Sequence, residues 1–252
     1  MGIRLFEKKL RKPIYSIYGF VRFADEIVDT FEGVDKKKLL QKFREDTFSA
    51  IRDRVSLNPI LHSFQKVVHQ YQLQEDHINA FLDSMEMDLT NKTYNQEQFE
   101  KYIYGSAEVV GLMCLDVFVS DKERVKELTP FARALGSAFQ KINFLRDIKS
   151  DYVDRGRSYF PGINVQLFDE KQKSRIEIDI KKDFDQGYIG INLLPNSVRL
   201  GVYLAYVYYI NLFNKICNSA ANELLEKRIR VRNRKKLYLL TKSSIEHGFR
   251  ML

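Results

Sequence analysis

The chain has 252 residues, 44% of them apolar and 29% charged, which excludes a disordered polypeptide and is enough to build a sizeable core. A formal net charge of +8 favours an acidic partner, whether nucleic acid, an anionic membrane surface or a phosphorylated small molecule, with a merely solubilising charge weighted equally. The two cysteines, Cys114 and Cys217, lie far apart and form no CxxC pair, so neither a disulfide framework nor a zinc site is suggested and a reducing, cytoplasmic setting is expected.

Met1–Arg11 is short and broken by charge, unlike a signal peptide. From there the pattern is helical throughout, with no strand-like alternation and no internal repeat. The predicted helices span about 13–30, 35–54, 59–71, 75–89, 96–119, 130–153, 170–186, 196–225 and 232–247. The prolines are expected at helix boundaries: Pro13 opens the first helix, and Asn58-Pro59 and Thr129-Pro130 read as an N-cap followed by a first-turn proline. The stretch Gly156–Phe168 is the longest irregular segment and is a candidate loop over a site. Leu200–Phe213 is too short for a bilayer span, which needs ~20 apolar residues. No linker divides the chain, so residues 1–252 are read as one all-α domain.

The first helix carries Tyr15-Ser-Ile-Tyr-Gly-Phe-Val-Arg22-Phe-Ala-Asp25-Glu-Ile-Val-Asp29. Asp25 and Asp29 share a face, continued by Arg22 and Tyr18. Two like charges at this spacing need an offset, and Mg²⁺, which takes one or two carboxylates and fills its shell with water and phosphate, provides one. Alone, the pair is read more readily as a solvated acidic face with Arg22 as ion-pair partner. The 130–153 helix carries Gln140, Asn143, Asp147 and Asp151 along a single stripe, beside an apolar stripe of Leu135, Phe139, Ile142, Leu145 and Ile148. Arg155 and Arg157 follow the helix end, placed to meet an anion. Two such helices facing each other would hold a small Mg²⁺ cluster against a diphosphate. A basic run, Glu226–Lys236, suits a diphosphate or an anionic membrane. The tyrosines Tyr203, Tyr206, Tyr208 and Tyr209 are read first as packing surface, and second as an aromatic wall for a cationic intermediate.

These residues resemble the squalene/phytoene synthase family, bacterial phytoene synthases in particular, over nearly the whole chain. Tyr15–Asp29 looks like its first aspartate-rich motif. Asn143–Pro161, with Gly156-Arg157-x-Tyr159-Phe160-Pro161, looks like its second, and Tyr104–Gly111 like its central segment. The resemblance implies the isoprenoid-synthase fold, a single helical bundle around a central cavity. It implies Asp25, Asp29, Asp147 and Asp151 as Mg²⁺ ligands, with Mn²⁺ as an alternative ion. Diphosphate contacts would come from Arg22, Arg157 and Arg234, with Gln140, Asn143 and Tyr208 beside them. Set against the family's pattern, the given sequence is expected to lack a stretch that precedes its first residues, a departure that bears on competence.

The activity so implied is head-to-head condensation of two geranylgeranyl diphosphates to phytoene via prephytoene diphosphate, without NADPH. Farnesyl diphosphate going to squalene or dehydrosqualene is the alternative within the class. A non-catalytic lipid-binding or assembly protein of the same fold is a second class. A nucleic-acid binder is a third and is not expected, since no helix-turn-helix or aromatic-interleaved basic stripe is present. Peripheral association with a membrane is compatible with the charge.

Overall fold

The computed structural model describes residues 2–231, and the elements follow from amphipathic spacing. After a 3-10 turn at Gly2–Leu5 come α1 (Lys8–Asp29), α2 (Lys36–Asp53), α3 (Pro59–Tyr71), α4 (Glu75–Thr90) and α5 (Gln96–Ile103). A π-helical turn, Tyr104–Glu108, joins α5 to α6 (Val109–Phe118). Then follow α7 (Lys122–Val153), α8 (Glu170–Leu193), α9 (Asn196–Cys217) and α10 (Ala221–Glu226). Among the described residues the only strand-like backbone contact is one isolated parallel bridge, Thr93 to Ser158. The fold is an all-α bundle of the isoprenoid-synthase kind.

In α1, Leu10, Ile14, Ile17, Phe20, Ala24 and Ile27 step by threes and fours and are buried, as is Val28, four beyond Ala24. Phe20 stacks on Phe64 at 4.1 Å and meets Phe81 at 5.4 Å. This is the centre of a first core built largely from α1–α4 and α6. A second core joins α5, α7, α8, α9 and α10 through Ile142, Leu145, Phe184, Leu212 and Ile216. Full burial of each such side chain is worth about 1.5–3 kcal/mol. Ile142, Leu145 and Ile148 of the predicted apolar stripe are buried, whereas Leu135 and Phe139 are half-buried.

Several boundaries differ from the sequence expectation. Pro13 and Pro130 sit inside α1 and α7 rather than at their starts. Asp121 caps α7, its side chain accepting the Glu123 amide at 3.0 Å, so the helix begins before Thr129, whose hydroxyl instead donates to the Val125 carbonyl at 2.9 Å. A proline costs a helix one backbone rung, and the tertiary packing of a 32-residue helix outweighs it. The 96–119 segment is broken by the π turn, where the Val109 amide donates to the Tyr104 carbonyl. Gly105 and Gly136 bracket this turn: an added Cβ would lie 2.3 Å from the Ala80 carbonyl oxygen and 2.8 Å from that of Ala107, respectively. The π turn thus needs close backbone approach on both sides. Helix α8 runs on to Leu193, and the 196–225 prediction splits after Cys217. Asn58 caps α3 as expected, accepting the Ile60 amide at 2.9 Å. The predicted helix 232–247 lies outside the described residues.

Candidate functional site

The C-terminal ends of α1, α4 and α7 are brought together by the loop that follows α7. On α1, Arg22 donates to Asp25 at 2.6 Å and also pairs with Glu26. On α7, Arg146 donates to its neighbour Asp147 at 2.9 and 2.5 Å, and Arg228, past α10, reaches the same carboxylate at 2.6 and 3.1 Å. Asn143 accepts from the Tyr209 hydroxyl at 3.4 Å, and Tyr209 packs edge-on against Tyr208 at 5.4 Å. Gln140 is half-buried on the same stretch of α7. Arg234 lies outside the described residues.

The loop after α7 ties the two aspartate-bearing helices together. Arg155 lies 3.0 Å from Asp29 on α1 and 2.8 Å from Asp151 on α7. Gly156 takes a left-handed φ of 64°, which turns the chain so that Arg157 follows on the same side. The Arg157 amide donates to the Asp151 carbonyl at 2.8 Å, closing the helix end. Its guanidinium stands 3.6 Å from Asp29 and 3.6 Å from Asp88 of α4. The next amide, Ser158, donates to the Lys92 carbonyl at 2.8 Å, which fixes the loop to the α4–α5 turn. A cleft here is lined by Phe144, Ile148, Asp151, Arg157, Tyr159 and Phe160.

Asp88 is buried and had no counterpart in the sequence expectation. The hydroxyls of Tyr102, Tyr159 and Tyr94 donate to it at 2.6, 2.9 and 3.4 Å. These residues are scattered over 72 positions, from 88 to 159, and only the folded chain gathers them. The one local sign is an acid on the last turn of a helix, among Met85, Met87 and Leu89. Arg228 was missed for the same reason: it belongs to the basic run, but spacing could not say which member returns to α7.

Charge and burial act against each other here. Burial raises the Asp151 carboxyl to about 6, although Arg155 pulls the other way. Asp25 is also raised, by burial and then by Asp29, with Arg22 opposing. Burial disfavours the charge on Arg157, but Asp88, Tyr159 and Asp29 outweigh it and hold its pKa above the usual value.

Among the described residues no group of three or more His, Cys, Asp or Glu side chains stands together as a metal cage. The donor chemistry still fits Mg²⁺, which needs only one or two carboxylates beside water and phosphate oxygens. Each of the four aspartates faces at least one guanidinium, so the arrangement is two carboxylate pairs with arginines between them, not a closed cage.

A family model described as squalene/phytoene synthase matches residues 1–177. The presqualene diphosphate synthase of Zymomonas mobilis is 31% identical over 186 residues, covering 72% of this chain and 60% of that protein. The phytoene synthase of Cereibacter sphaeroides is 24% identical over 267 residues, covering 94% of this chain and 72% of that one. The match thus spans less than two thirds of the Zymomonas relative. A dehydrosqualene synthase crystallised with ligand superimposes with a TM-score of 0.81 at 20% identity, covering 97% of this chain and 89% of the other; that likeness concerns the fold.

Proposed function

The chain belongs to the squalene/phytoene synthase family, and on that premise we propose that it condenses two allylic prenyl diphosphates head to head. The observation that carries this reading is the bridging of Asp29 and Asp151 by Arg155, with Arg157 beside them. Two carboxylate-bearing helix ends and several guanidiniums converge on one place, the combination that a diphosphate with its counter-cations demands. Mg²⁺, or Mn²⁺ in its place, would be held by Asp25, Asp29, Asp147 and Asp151, and supplies positive charge against the departing diphosphate.

The protein's own groups then have defined tasks. Arg157 would offer a planar N–H fork to diphosphate oxygens, and Arg22, Arg155 and Arg228 would do so on turning from the carboxylates they now hold. Gln140, Asn143 and Tyr208 lie beside this charged end as neutral polar partners. Departure of diphosphate from the first substrate leaves an allylic cation. The double bond of the second substrate attacks it, and loss of a proton closes a cyclopropane ring on a product that keeps the second diphosphate. Aromatic faces such as Phe139 and Tyr209, stacked at 4.0 Å, suit a passing cation. Exclusion of water protects that cation from quenching.

For the substrate we favour the C20 geranylgeranyl diphosphate, giving prephytoene diphosphate and, after a second ionisation, phytoene without NADPH. Alignment to the Cereibacter phytoene synthase over 94% of the chain supports it. A C15 reading, ending at presqualene diphosphate, squalene or dehydrosqualene, is favoured by the 31% identity to the Zymomonas presqualene diphosphate synthase. The deciding experiment is incubation with Mg²⁺ and labelled C15 or C20 diphosphate, with and without NADPH, followed by product identification. The C20 reading expects phytoene from C20 alone, whereas a C15 product would overturn it. No product from either, with lipid still bound, would assign a non-catalytic role.

A further inference from the structure

We propose that Asp88 is a positioning residue for Arg157, holding its guanidinium at the mouth of the aspartate pairs so that it meets diphosphate instead of collapsing onto Asp29. The inference rests on the diphosphate-binding reading given above.

The geometry is a buried anion with four partners. Asp88 accepts from the hydroxyls of Tyr102, Tyr159 and Tyr94 at 2.6, 2.9 and 3.4 Å and lies 3.6 Å from Arg157 Nη1. A hydroxyl has one proton to give. Tyr159 gives its proton to Asp88 and uses its oxygen to accept from Arg157 at 3.3 Å, so it joins the two charges. The ring of Tyr159 is fixed in turn by stacking on Phe144 at 3.9 Å. Tyr94 and Tyr102 pack against Tyr159 at 5.3 and 5.2 Å. A buried ionised carboxylate is costly unless paired and hydrogen-bonded; here the pairing points outward, to a residue of the candidate site.

The two anions flanking Arg157 are equally distant, Asp88 and Asp29 each at 3.6 Å. Both approach Nη1, which leaves the Nε and Nη2 edge as the fork for a ligand's oxygens. Remove the charge of Asp88 and the balance is lost. Arg157 is then drawn to Asp29, which neutralises one member of the first aspartate pair and turns the fork away. Asp88 touches neither aspartate pair in hydrogen-bond range, so its effect on ligand passes through Arg157.

The test is calorimetric binding of inorganic diphosphate in Mg²⁺ to the wild type, Asp88→Asn, Arg157→Gln and the double variant, with thermal unfolding of each. Asp88→Asn keeps the shape and an acceptor for the hydroxyls. We expect it to weaken diphosphate binding about 10- to 100-fold. In the Arg157→Gln background the same change should cost nothing further, because its route is already gone. Equal losses in both backgrounds, or wild-type binding by Asp88→Asn, would overturn the positioning role while leaving the function intact. A wild-type chain that does not bind diphosphate would overturn the function and this role together. Should Asp88→Asn fail to fold, Tyr159→Phe replaces it in the cycle. That variant removes only the hydroxyl joining Arg157 to Asp88, and the same non-additivity with Arg157→Gln is expected.

Discussion

Asp151 carries the pH dependence expected of the site. Its carboxyl is lifted to about 6 from 3.8, chiefly by burial. A cation competes with the proton for this group, so turnover should climb as pH rises through about 6 and level above it. A pH–rate profile checks this, and residual turnover in Asp151→Asn should lack the inflection. The stability sign runs the other way. The folded chain holds this proton more tightly than the unfolded one, so the ligand-free protein gains from it below 3.8 and loses that gain as pH rises through about 6. Asp147 is held by Arg146 and Arg228. Asp147→Ala should lower turnover by at least about 100-fold with the fold retained, as read by steady-state kinetics and circular dichroism; near-normal activity in Mg²⁺ would remove Asp147 from the metal set. At this scale the local spacing singles out Arg22, Asp25, Asp29, Asp147, Asp151 and Arg157 as candidates. It could not supply Asp88 or Arg228, because Asp88 meets Tyr159 across 71 positions and Arg228 meets Asp147 across 81.

At the scale of elements, helices with one strong apolar face were legible. The third matched at both ends because Asn58 and Pro59 state its start chemically. The seventh did not. Thr129-Pro130 imitates a cap, while the true cap, Asp121, precedes a run of charge with little periodicity. The π turn was invisible to periodicity because five residues shift the register without changing composition. Its requirement for close backbone contact makes a sharp prediction. Gly105→Ala would bring a Cβ to 2.3 Å from the Ala80 carbonyl oxygen. Backbone cannot yield as a flexible side chain does, so the variant should lose about 1–3 kcal/mol in denaturant unfolding. Gly33→Ala has open space around its Cβ, and its cost should come from its φ of 72° alone.

For the whole molecule, the bundle was legible because helices dominate and the aspartate motifs fix two of them. How the two cores abut was not, since that depends on the packing of α7 against α6 and the π turn. No described helix is long and apolar enough to cross a membrane. The net charge of +8 nevertheless favours anionic surfaces, and the proposed products are lipids. The chain should therefore sediment with vesicles rich in anionic lipid and detach as salt is raised, since exposed charges are screened within about 8 Å at physiological ionic strength. Equal recovery with neutral vesicles would remove electrostatics from that association.

The bridge between Thr93 and Ser158 has a consequence for how the site breathes. The Ser158 amide is spent on Lys92 and the Arg157 amide on Asp151. Neither can trade its hydrogen for deuterium until the loop parts from the α4–α5 turn or from the end of α7. The two amides are thus gauges of a single opening event rather than of the bundle as a whole. Diphosphate with Mg²⁺ should slow their exchange together and leave the amides of α3 unchanged in a hydrogen–deuterium exchange experiment. Independent slowing at the two positions would mean that the loop opens from its two ends separately.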